Sequence, residues 1–560
     1  MLSLYGASTF RTAAVRTLFH RKPPKHVRNM AITCRGDPIS EEELYRYTNG
    51  HFLINEEHQY RQRYLKFDIS RLCDVAAVVG ATKSPIVAIE KMEGGFCKAL
   101  LMRRADGSEI VAKLPSKLAG PPKFSTASEV AILKYVQQHT SIPVPRVLAW
   151  ECDSSNSVGS EYIIMEKAPG VQLYKKWGDM DGNSNLALTN HLVKLESQLA
   201  SIHFPVSGSL YLRESCLSGS ECHPLPIDID PSQSYCIGPS ADRSWCIESQ
   251  SGILTPGFSR GPWPSLSDYG HDLTEREIYR ISNDQKTDNR PYRRRKADEE
   301  IADLKGAMRV INLLESHHRD LASTLNPIIW HTDLHLGNIY VSEEDPTQIV
   351  SIIDWQSISV VPLFLQATWP EFLKPNDDYI CGVVQPQLPD NFDELDMAEK
   401  EFAISTRDDA LITKSYELRS SQYNNRDVYR SIKLPPIFRE IFIRCGEASK
   451  EGTIGLRACL AELYQSWSML DLTGSCPVSF ADEQLLEIKQ EFQEYRHWHD
   501  VQEFARSYLD TDADGWISPE LDITEIQQRN KSALDKYIKE MSKHMSPRDA
   551  RRMWPYLENI

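Results

Sequence analysis

The chain is 560 residues long and has a formal net charge of −15, with 41% hydrophobic and 25% charged residues. These proportions are typical of a globular protein, and the length allows about two to four domain-sized units. No run of roughly eighteen apolar residues predicts a transmembrane segment. The excess of acidic residues argues against a nucleic acid as the main partner.

The N-terminus differs from the acidic remainder of the chain. Residues 1–36 contain seven Lys or Arg and no Asp or Glu. Apolar residues alternate there with Arg11, Arg16 and Arg21, a pattern typical of amphipathic mitochondrial presequences. We therefore predict that 1–36 is a presequence of a mitochondrial protein and that about 30 residues are removed after import. A disordered basic tail is the alternative.

Residues 37–74 are predicted to be a mixed helical lead-in, and residues 75–170 a small lobe. Three strands are predicted in this lobe from their apolar runs and bounding turns: Pro85 to Met92, Phe96 to Arg103 and Glu109 to Leu114. Gly94 and Gly95 join the first two strands, and paired glycines let backbone amides approach a phosphate closely. A Gly-Gly hairpin is usually only a turn, so this signal is weak by itself.

Two charged residues of the small lobe are candidates for a nucleotide site. Lys113 ends the third predicted strand, although a lysine in that position is more often a solvated edge residue. Glu129 opens the next predicted helix, over 128–138. It either pairs with Lys113 or forms a capping box with Thr126, because Thr126-x-x-Glu129 has the spacing of that motif.

A larger lobe, residues 171–500, is predicted to follow the apolar strand that ends at Glu166. A long helix is expected over Asn185 to His203, and another over Ile301 to Leu325. Residues 214–296 are rich in Gly, Pro and Ser and predict an insertion, which beside the cleft would suit substrate recognition. Beyond Trp369 the chain is predicted to be largely helical, with 501–560 as a C-terminal extension.

Two further patterns concern metals and redox state. Asp510, Asp512 and Asp514 match the start of an EF-hand loop, but Leu521 occupies the position that requires a bidentate glutamate. This segment is therefore predicted to be a turn that closes a helix. The twelve cysteines lack the close spacing of a zinc site and are predicted to be free thiols in a reducing compartment.

The most informative motif is the polar loop His331 to Asn338, followed by Ile352-Ile353-Asp354. A short strand, a polar turn and a returning strand are predicted between Asn338 and Asp354. Such a hairpin brings these two side chains together, and hard oxygen ligands are those that Mg²⁺ prefers. Asp333 lies in the loop just before, in a position to receive a proton from an attacking hydroxyl. The alternative is that these residues only cap turns and end a strand.

This motif resembles the catalytic segment of the aminoglycoside phosphotransferase and choline kinase branch of the protein-kinase-like superfamily. The loop has the form H-x-D-x-x-x-x-N, and Asp354 stands in an I-D-W context. The longer run from His331 to Leu373 is similar to the fungal group that contains altered inheritance of mitochondria protein 9. The resemblance implies an α+β, bilobal fold, with a small antiparallel β-sheet lobe and a larger, mainly helical lobe.

The resemblance also implies roles for individual residues. Asp333 would be the catalytic base, and Asn338 and Asp354 would hold Mg²⁺. Lys113, in Ile110-Val111-Ala112-Lys113, would contact the ATP phosphates and pair with Glu129. The nucleotide would also meet the backbone at two further places, namely the Gly94-Gly95 turn and, for adenine, the hinge formed by Glu166, Lys167 and Ala168.

Three function classes follow. The first is a kinase that uses Mg-ATP to phosphorylate a hydroxyl of a small molecule whose identity the sequence does not give. The second is a protein kinase, against which Thr332 replaces the arginine of H-R-D and Trp355-Gln356 replaces the Phe-Gly of D-F-G. The third is a nucleotide-binding scaffold without turnover.

Overall fold

The computed structural model describes residues 30–215, 221–246, 259–283, 292, 295–317, 319–376, 379–422 and 426–557. Residues 1–29 of the predicted presequence lie outside these ranges. Residues 31–34 and 37–38 form two strands of the main sheet, so the last residues of the predicted presequence 1–36 overlap the folded part of the chain.

The lead-in combines short strands with helices. Its elements are β1 (Ala31–Cys34), β2 (Asp37–Pro38), α1 (Glu41–Tyr45), β3 (His51–Phe52), α2 (Glu56–Arg63) and α3 (Ile69–Val78). Ser40 caps α1 in a capping box with Glu43, and Asp68 caps α3 by accepting from the backbone N–H of Arg71. The apolar face of α3, with Leu72 and Ala76 fully buried, packs on the sheet that follows.

The small lobe is a mostly antiparallel sheet with one long helix. Its elements are β4 (Ile86–Glu93), β5 (Cys97–Arg104), β6 (Glu109–Pro115), α4 (Phe124–His139), β7 (Val147–Glu151) and β8 (Tyr162–Glu166). The seven-stranded sheet has the order β2-β1-β4-β5-β6-β8-β7, and β1 alone runs parallel to its neighbour β4. The three predicted strands are therefore present within about one residue at each end.

A cluster of buried charges fixes the lead-in to this sheet. Lys91 and Lys98, on β4 and β5, both pair with Glu93, and all three side chains are almost fully buried. Lys91 also donates to the carbonyls of Glu43 and Arg46 at 2.8 and 2.7 Å. We call Lys91, Glu93 and Lys98 the staple cluster.

The large lobe begins after an extended hinge. Its first part consists of β9 (Val171–Gln172), α5 (Gly182–Ala200), β10 (Ser209–Leu212), β11 (His223–Pro224), β12 (Tyr235–Gly238), α6 (Leu266–Asn283), α7 (Ala297–His317), α8 (Arg319–Ala322), β13 (Pro327–Ile329), β14 (Ile339–Val341), β15 (Ile349–Ile352), β16 (Val360–Pro362) and α9 (Leu363–Gln366). One continuous apolar core joins α4 and α5 to the hairpin of β14 and β15. The helix that carries Glu129 and the loop that carries Asp333 are thus positioned by the same core.

The described part of the predicted insertion packs against helices of the main fold. In the described part of 214–296, β12 pairs with β10 and β11 and packs on α4, where the hydroxyl of Tyr235 donates to Gln138 at 2.7 Å. Helix α6 packs between α7 and α12 (Ile437–Glu451), with Gly270 in close contact with Ile311. These segments support the helix that carries Glu129 and the helical core.

The rest of the chain is mainly helical, as predicted. Besides α12, it contains α10 (Met397–Gln422), α11 (Arg426–Lys433), α13 (Ile454–Ser466), α14 (Asp482–Leu509), β17 (Trp516–Ile517), α15 (Ile523–Met541) and α16 (Pro547–Met553). The aspartate segment after α14 is a turn in which Asp512 accepts from the N–H groups of Asp514 and Trp516. It ends α14, as predicted, and leads into β17, which pairs with β3 of the lead-in.

The architecture confirms the predicted α+β class, with a β-sheet lobe and a larger helical lobe. Within the described residues, no helix is both long and apolar enough to cross a membrane. Cys445 and Cys459 are free and buried, as predicted, but Cys222 is disulfide-bonded. The prediction of free thiols is therefore wrong for Cys222, because sequence spacing can exclude a zinc site but does not show which sulfur atoms come within bonding distance.

Candidate active site

The two lobes meet at a buried lysine. Lys113, near the end of β6, donates through Nζ to Glu129 Oε1 and to Asp354 Oδ1, each at 2.7 Å. Glu129 lies on α4 and Asp354 follows β15 of the large lobe. The side chains of Lys113 and Glu129 are 10% and 6% exposed, whereas that of Asp354 is 40% exposed. We call Lys113, Glu129 and Asp354 the bridging cluster.

This geometry decides between the two interpretations of Glu129. Thr126 lies inside α4, and its hydroxyl donates to Glu161 at 2.5 Å. Glu129 therefore pairs with Lys113 and forms no capping box with Thr126. The contact between Lys113 and Asp354 was not predicted, since it joins residues that are 241 positions apart.

The bridging cluster holds its charges through mutual attraction. Burial lowers the pKa of Lys113, but the two carboxylates outweigh burial, so the net shift is upward. Burial raises the pKa of Glu129 more than Lys113 lowers it. For Asp354, burial is outweighed by Lys113, and the pKa falls below the usual aspartate value. Asp354 is therefore the more firmly ionised of the two carboxylates.

Hydrogen bonds to the backbone fix the loop from His331 to Asn338. Asn338 is buried, and its side-chain amide donates to the carbonyl of Asp333 at 2.9 Å. His331 contacts the carbonyl of Ile353 through Nε2 at 2.9 Å, and burial lowers its pKa, which favours a neutral ring. The carboxylate of Asp333 itself is exposed. The loop thus holds the backbone of Asp333 in place while its side chain meets solvent.

The hairpin brings Asn338 and Asp354 to one end, as the sequence predicted. Ile339 pairs with Ile352, and the N–H of Ile353 donates to the carbonyl of Asn338 at 3.0 Å. Asp354 then adopts a left-handed backbone with φ of 62°, which is uncommon for a residue other than glycine. Such backbone strain is concentrated at functional sites, and here it turns Asp354 out of the strand direction toward Lys113.

The glycine turn and the hinge are also where the sequence placed them. Gly94 donates its N–H to the carbonyl of Cys97 at 3.1 Å, so this amide closes the turn. Around Gly95 there is open space. Glu166 and Lys167 direct their side chains to exposed ion pairs, with Arg146 and Glu109. Recognition at the hinge, which continues through the buried Ala168, would therefore depend on its backbone.

The donor set at the hairpin fits a hard cation such as Mg²⁺. Asn338 and Asp354 supply oxygen ligands, and Mg²⁺ in kinase sites is bound by one or two carboxylates together with water and substrate phosphates. Among the described residues, no group of three or more His, Cys, Asp or Glu could form a metal site on its own. Asn338 and Asp354 would supply two oxygen ligands to a cation here, and water or phosphate oxygens would supply the others.

A cavity of about 450 Å³ opens beside Asp333. Its wall includes Glu196 of α5, Trp369, Lys374 and Arg439, all outside the predicted insertion. The sequence did not single out Glu196, because a glutamate on an amphipathic helix is normally a solvated residue. Its position between Leu195 and Leu199 on the buried stripe was the available signal.

Residues 100–364 match the model of the phosphotransferase enzyme family. A subtelomeric hrmA-associated cluster protein of Aspergillus fumigatus is 26% identical over 462 residues, covering 76% of this chain and 88% of that protein. Altered inheritance of mitochondria protein 9 of Candida dubliniensis is 21% identical, with 85% of each chain covered. The solved structure of ADP-bound aminoglycoside phosphotransferase APH(2'')-Ib is 12% identical, covering 65% of this chain and 86% of that one, with a TM-score of 0.33.

The family match over residues 100–364 supports a kinase-type phosphotransferase fold for this part of the chain. The predicted resemblances to the aminoglycoside phosphotransferases and to altered inheritance of mitochondria protein 9 are both confirmed. The name of the second group includes the word mitochondrial, in agreement with the mitochondrial location predicted from the N-terminus.

Proposed function

We propose that the protein is a Mg-ATP-dependent kinase that transfers the γ-phosphate to a hydroxyl group of a small molecule in mitochondria. The observation that carries this proposal is the bridging cluster, which joins Lys113 of the sheet lobe to Asp354, the ionised aspartate at the end of the hairpin that follows the Asp333 loop. Phosphoryl transfer needs charge stabilisation and positioning more than covalent chemistry from the protein.

Each residue has a defined task in this proposal. Lys113, held by Glu129, binds phosphate oxygens, and Asn338 and Asp354 hold the metal ion. Bound Mg-ATP would supply the phosphoryl group, and its metal ion would neutralise the negative charge that develops on that group during transfer. Asp333 accepts the proton of the acceptor hydroxyl, whose oxygen forms the new P–O bond while the bond to the β-phosphate oxygen breaks.

The exposed carboxylate of Asp333 and the adjoining cavity favour a small acceptor over a protein side chain. In this proposal the acceptor enters the cavity lined by Trp369 and Lys374 and presents its hydroxyl to Asp333. A protein kinase would instead need a surface on which an extended peptide lies. The non-catalytic alternative predicts nucleotide binding without turnover.

Two aspartate variants test the assignment of base and metal ligand. Asp333→Asn should retain Mg-ATP binding and reduce transfer to a metabolite extract by about 10² to 10⁴, the range for a positioned general base. Asp354→Ala should weaken both Mg-ATP binding and transfer, because it removes a metal ligand. Release of ADP and nucleotide-dependent thermal shifts are the two measurements.

Asp345→Asn is the matched control, since Asp345 lies in the turn of the same hairpin and its exposed carboxylate accepts hydrogen bonds from Thr347. It should behave as the wild type in both measurements. Equal loss of nucleotide binding in Asp333→Asn and Asp354→Ala would show that the two roles are wrongly assigned. Mg-ATP binding without any turnover that depends on Asp333 would favour the scaffold.

The proposed location has its own test. A reporter fused to residues 1–40 should enter mitochondria and lose about 30 residues, because the segment combines basic and apolar residues without acids. Replacing Arg11, Arg16 and Arg21 by Glu should leave the reporter in the cytosol. A wild-type fusion that stays cytosolic would contradict import by this segment.

A further inference from the structure

A carboxyl group that the proposed mechanism does not use lies in the wall of the cavity beside Asp333. Glu196 is 7% exposed, and its Oε2 accepts a hydrogen bond from the hydroxyl of Tyr416 at 2.9 Å. Among the described residues, no Lys, Arg or His forms an ion pair with it. A buried carboxyl without a cationic partner favours its protonated form.

The surroundings of Glu196 support a neutral group. Burial raises its pKa to about 8, and the hydrogen bond from Tyr416 lowers it only in part. The charged residues on α10, which packs against α5, have other partners. Lys414 pairs with Glu417 at 2.7 Å, and Arg419 donates to the side chain of Asn190 at 2.9 Å.

The positive and negative charges of the other acidic and basic side chains in the cavity cancel. Asp333 and Glu371 contribute two negative charges, and Lys374 and Arg439 contribute two positive ones. Arg439 is anchored by donating to the backbone carbonyls of Phe364 and Ala367. With Glu196 protonated, these side chains sum to no net charge.

Both histidines of the cavity contact the protein backbone. The N–H of Gly337 donates to His335 Nδ1 at 3.0 Å. Burial lowers the pKa of His331. A polycationic acceptor would place its charges against Lys374 and Arg439 without a compensating excess of carboxylate.

The polar and aromatic groups together point to one class of acceptor. Trp330 and Trp369 line the cavity, and an indole face packs well against the C–H face of a ring. Carboxyl groups at several positions can hydrogen-bond neighbouring hydroxyls. An uncharged, hydroxyl-rich ring satisfies both kinds of group without leaving a charge unpaired.

We infer that the acceptor is an uncharged polyhydroxylated compound, of the sugar or cyclic polyol type, and that Glu196 selects it by donating a hydrogen bond to an acceptor oxygen. This inference rests on the proposed kinase function, which it narrows to one chemical class. Glu196 is a specificity-determining residue here, and Asp333 remains the base.

The first test separates a metabolite extract by charge on cation- and anion-exchange resins. Transfer of the γ-phosphate from Mg-ATP to each pool is measured for the wild type and Asp333→Asn. Transfer that depends on Asp333 should occur with the uncharged pool. Transfer confined to a charged pool would overturn the inference but leave the kinase function standing. Absence of transfer with every pool would overturn both.

The second test examines the protonation of Glu196 directly. Infrared spectra at pH 7 should contain the carbonyl band of a protonated carboxyl that is lost in Glu196→Gln. The matched control is Glu371→Gln, an exposed residue of the same cavity, and the band should persist there. No difference between the wild type and Glu196→Gln would overturn the inference, even if transfer is active.

The third test concerns affinity for the acceptor pool. Glu196→Ala should raise the concentration of the uncharged pool needed for half-maximal transfer by roughly tenfold, the size of one lost hydrogen bond. Glu196→Gln, which keeps an N–H donor, should raise it less. If both variants lose affinity equally, a negative charge is required at this position and the inference is wrong.

Discussion

Two clusters of buried charge lie on neighbouring strands of the same sheet, and they differ in the balance of their charges. The staple cluster has two lysines around one carboxylate, Glu93, and all three side chains are almost fully buried. The bridging cluster has one lysine, Lys113, between two carboxylates, and Asp354 is 40% exposed. One cluster has an excess of positive charge and the other an excess of negative charge.

The difference shows how a structural ion pair can be distinguished from a binding site. The excess positive charge of the staple cluster is satisfied internally, because Lys91 and Lys98 also donate to backbone carbonyls of the lead-in. In the bridging cluster, the excess negative charge belongs to a carboxylate that faces solvent. A metal ion can therefore neutralise the excess negative charge of the bridging cluster. The lysines of the staple cluster are already paired with Glu93 and with backbone carbonyls, so this cluster does not offer a binding site for a ligand.

The largest expected effect comes from removing the central carboxylate of the staple cluster. Glu93→Ala leaves Lys91 and Lys98 buried without a counter-charge, so the free energy of unfolding should fall by about 3–5 kcal/mol. Urea denaturation measures this change. The control Glu109→Ala breaks more exposed ion pairs and should lower the free energy by less than about 1 kcal/mol. Similar losses in both variants would contradict the distinction drawn here.

The pH dependence of stability should differ in sign between the two clusters. Burial lowers the pKa of Lys98 to about 8 in the folded protein, below its unfolded value of 10.5. The unfolded chain therefore binds more protons between these values, and the contribution of Lys98 to stability rises across this window by up to about 3 kcal/mol.

Lys113 behaves in the opposite way, since its pKa is raised. Its contribution is fully present below pH 10.5 and is lost as the pH rises further. Urea denaturation of the wild type and Lys98→Met between pH 7.5 and about 10 isolates the Lys98 contribution. A constant difference between the two proteins over this window would show that Lys98 titrates normally.

A slightly smaller effect is expected from the nucleotide. Mg-ATP at about a hundred times its dissociation constant should raise the free energy of unfolding by roughly 2.7 kcal/mol. Lys113→Ala should abolish most of this increase, because it removes the cation of the bridging cluster. Lys123→Ala is the control, since Lys123 forms a half-exposed ion pair with Asp153. An unchanged nucleotide effect in Lys113→Ala would exclude Lys113 from the site.

The sequence predicted those parts of the site that depend on local order. The hairpin between Asn338 and Asp354 was predictable because both strands and their turn are contiguous in the chain. Lys113 and Glu129 were predictable as a pair because the strand and helix that carry them follow one another. In each case a short segment contains both partners.

Contacts between distant segments were not predictable in this way. The Lys113–Asp354 contact depends on how the two lobes meet. The staple cluster depends on the lead-in folding back over β4, and no pattern within residues 91–98 indicates it. The role of Glu196 could not be predicted either, because the cavity beside it is lined by segments that are distant in the sequence.

One contact of the C-terminal extension reaches the other end of the chain. Trp516 donates through its indole N–H to the carbonyl of Asn49 at 2.7 Å, and the side chain of Asn49 donates to the carbonyl of Glu93 at 2.7 Å. Glu93 is followed directly by Gly94, so three residues connect the extension to the glycine turn. A protein shortened at residue 500 would lose the first of these bonds together with the partner strand of β3. The C-terminal extension therefore stabilises the small lobe, and it is not an independent segment that can be removed without affecting that lobe.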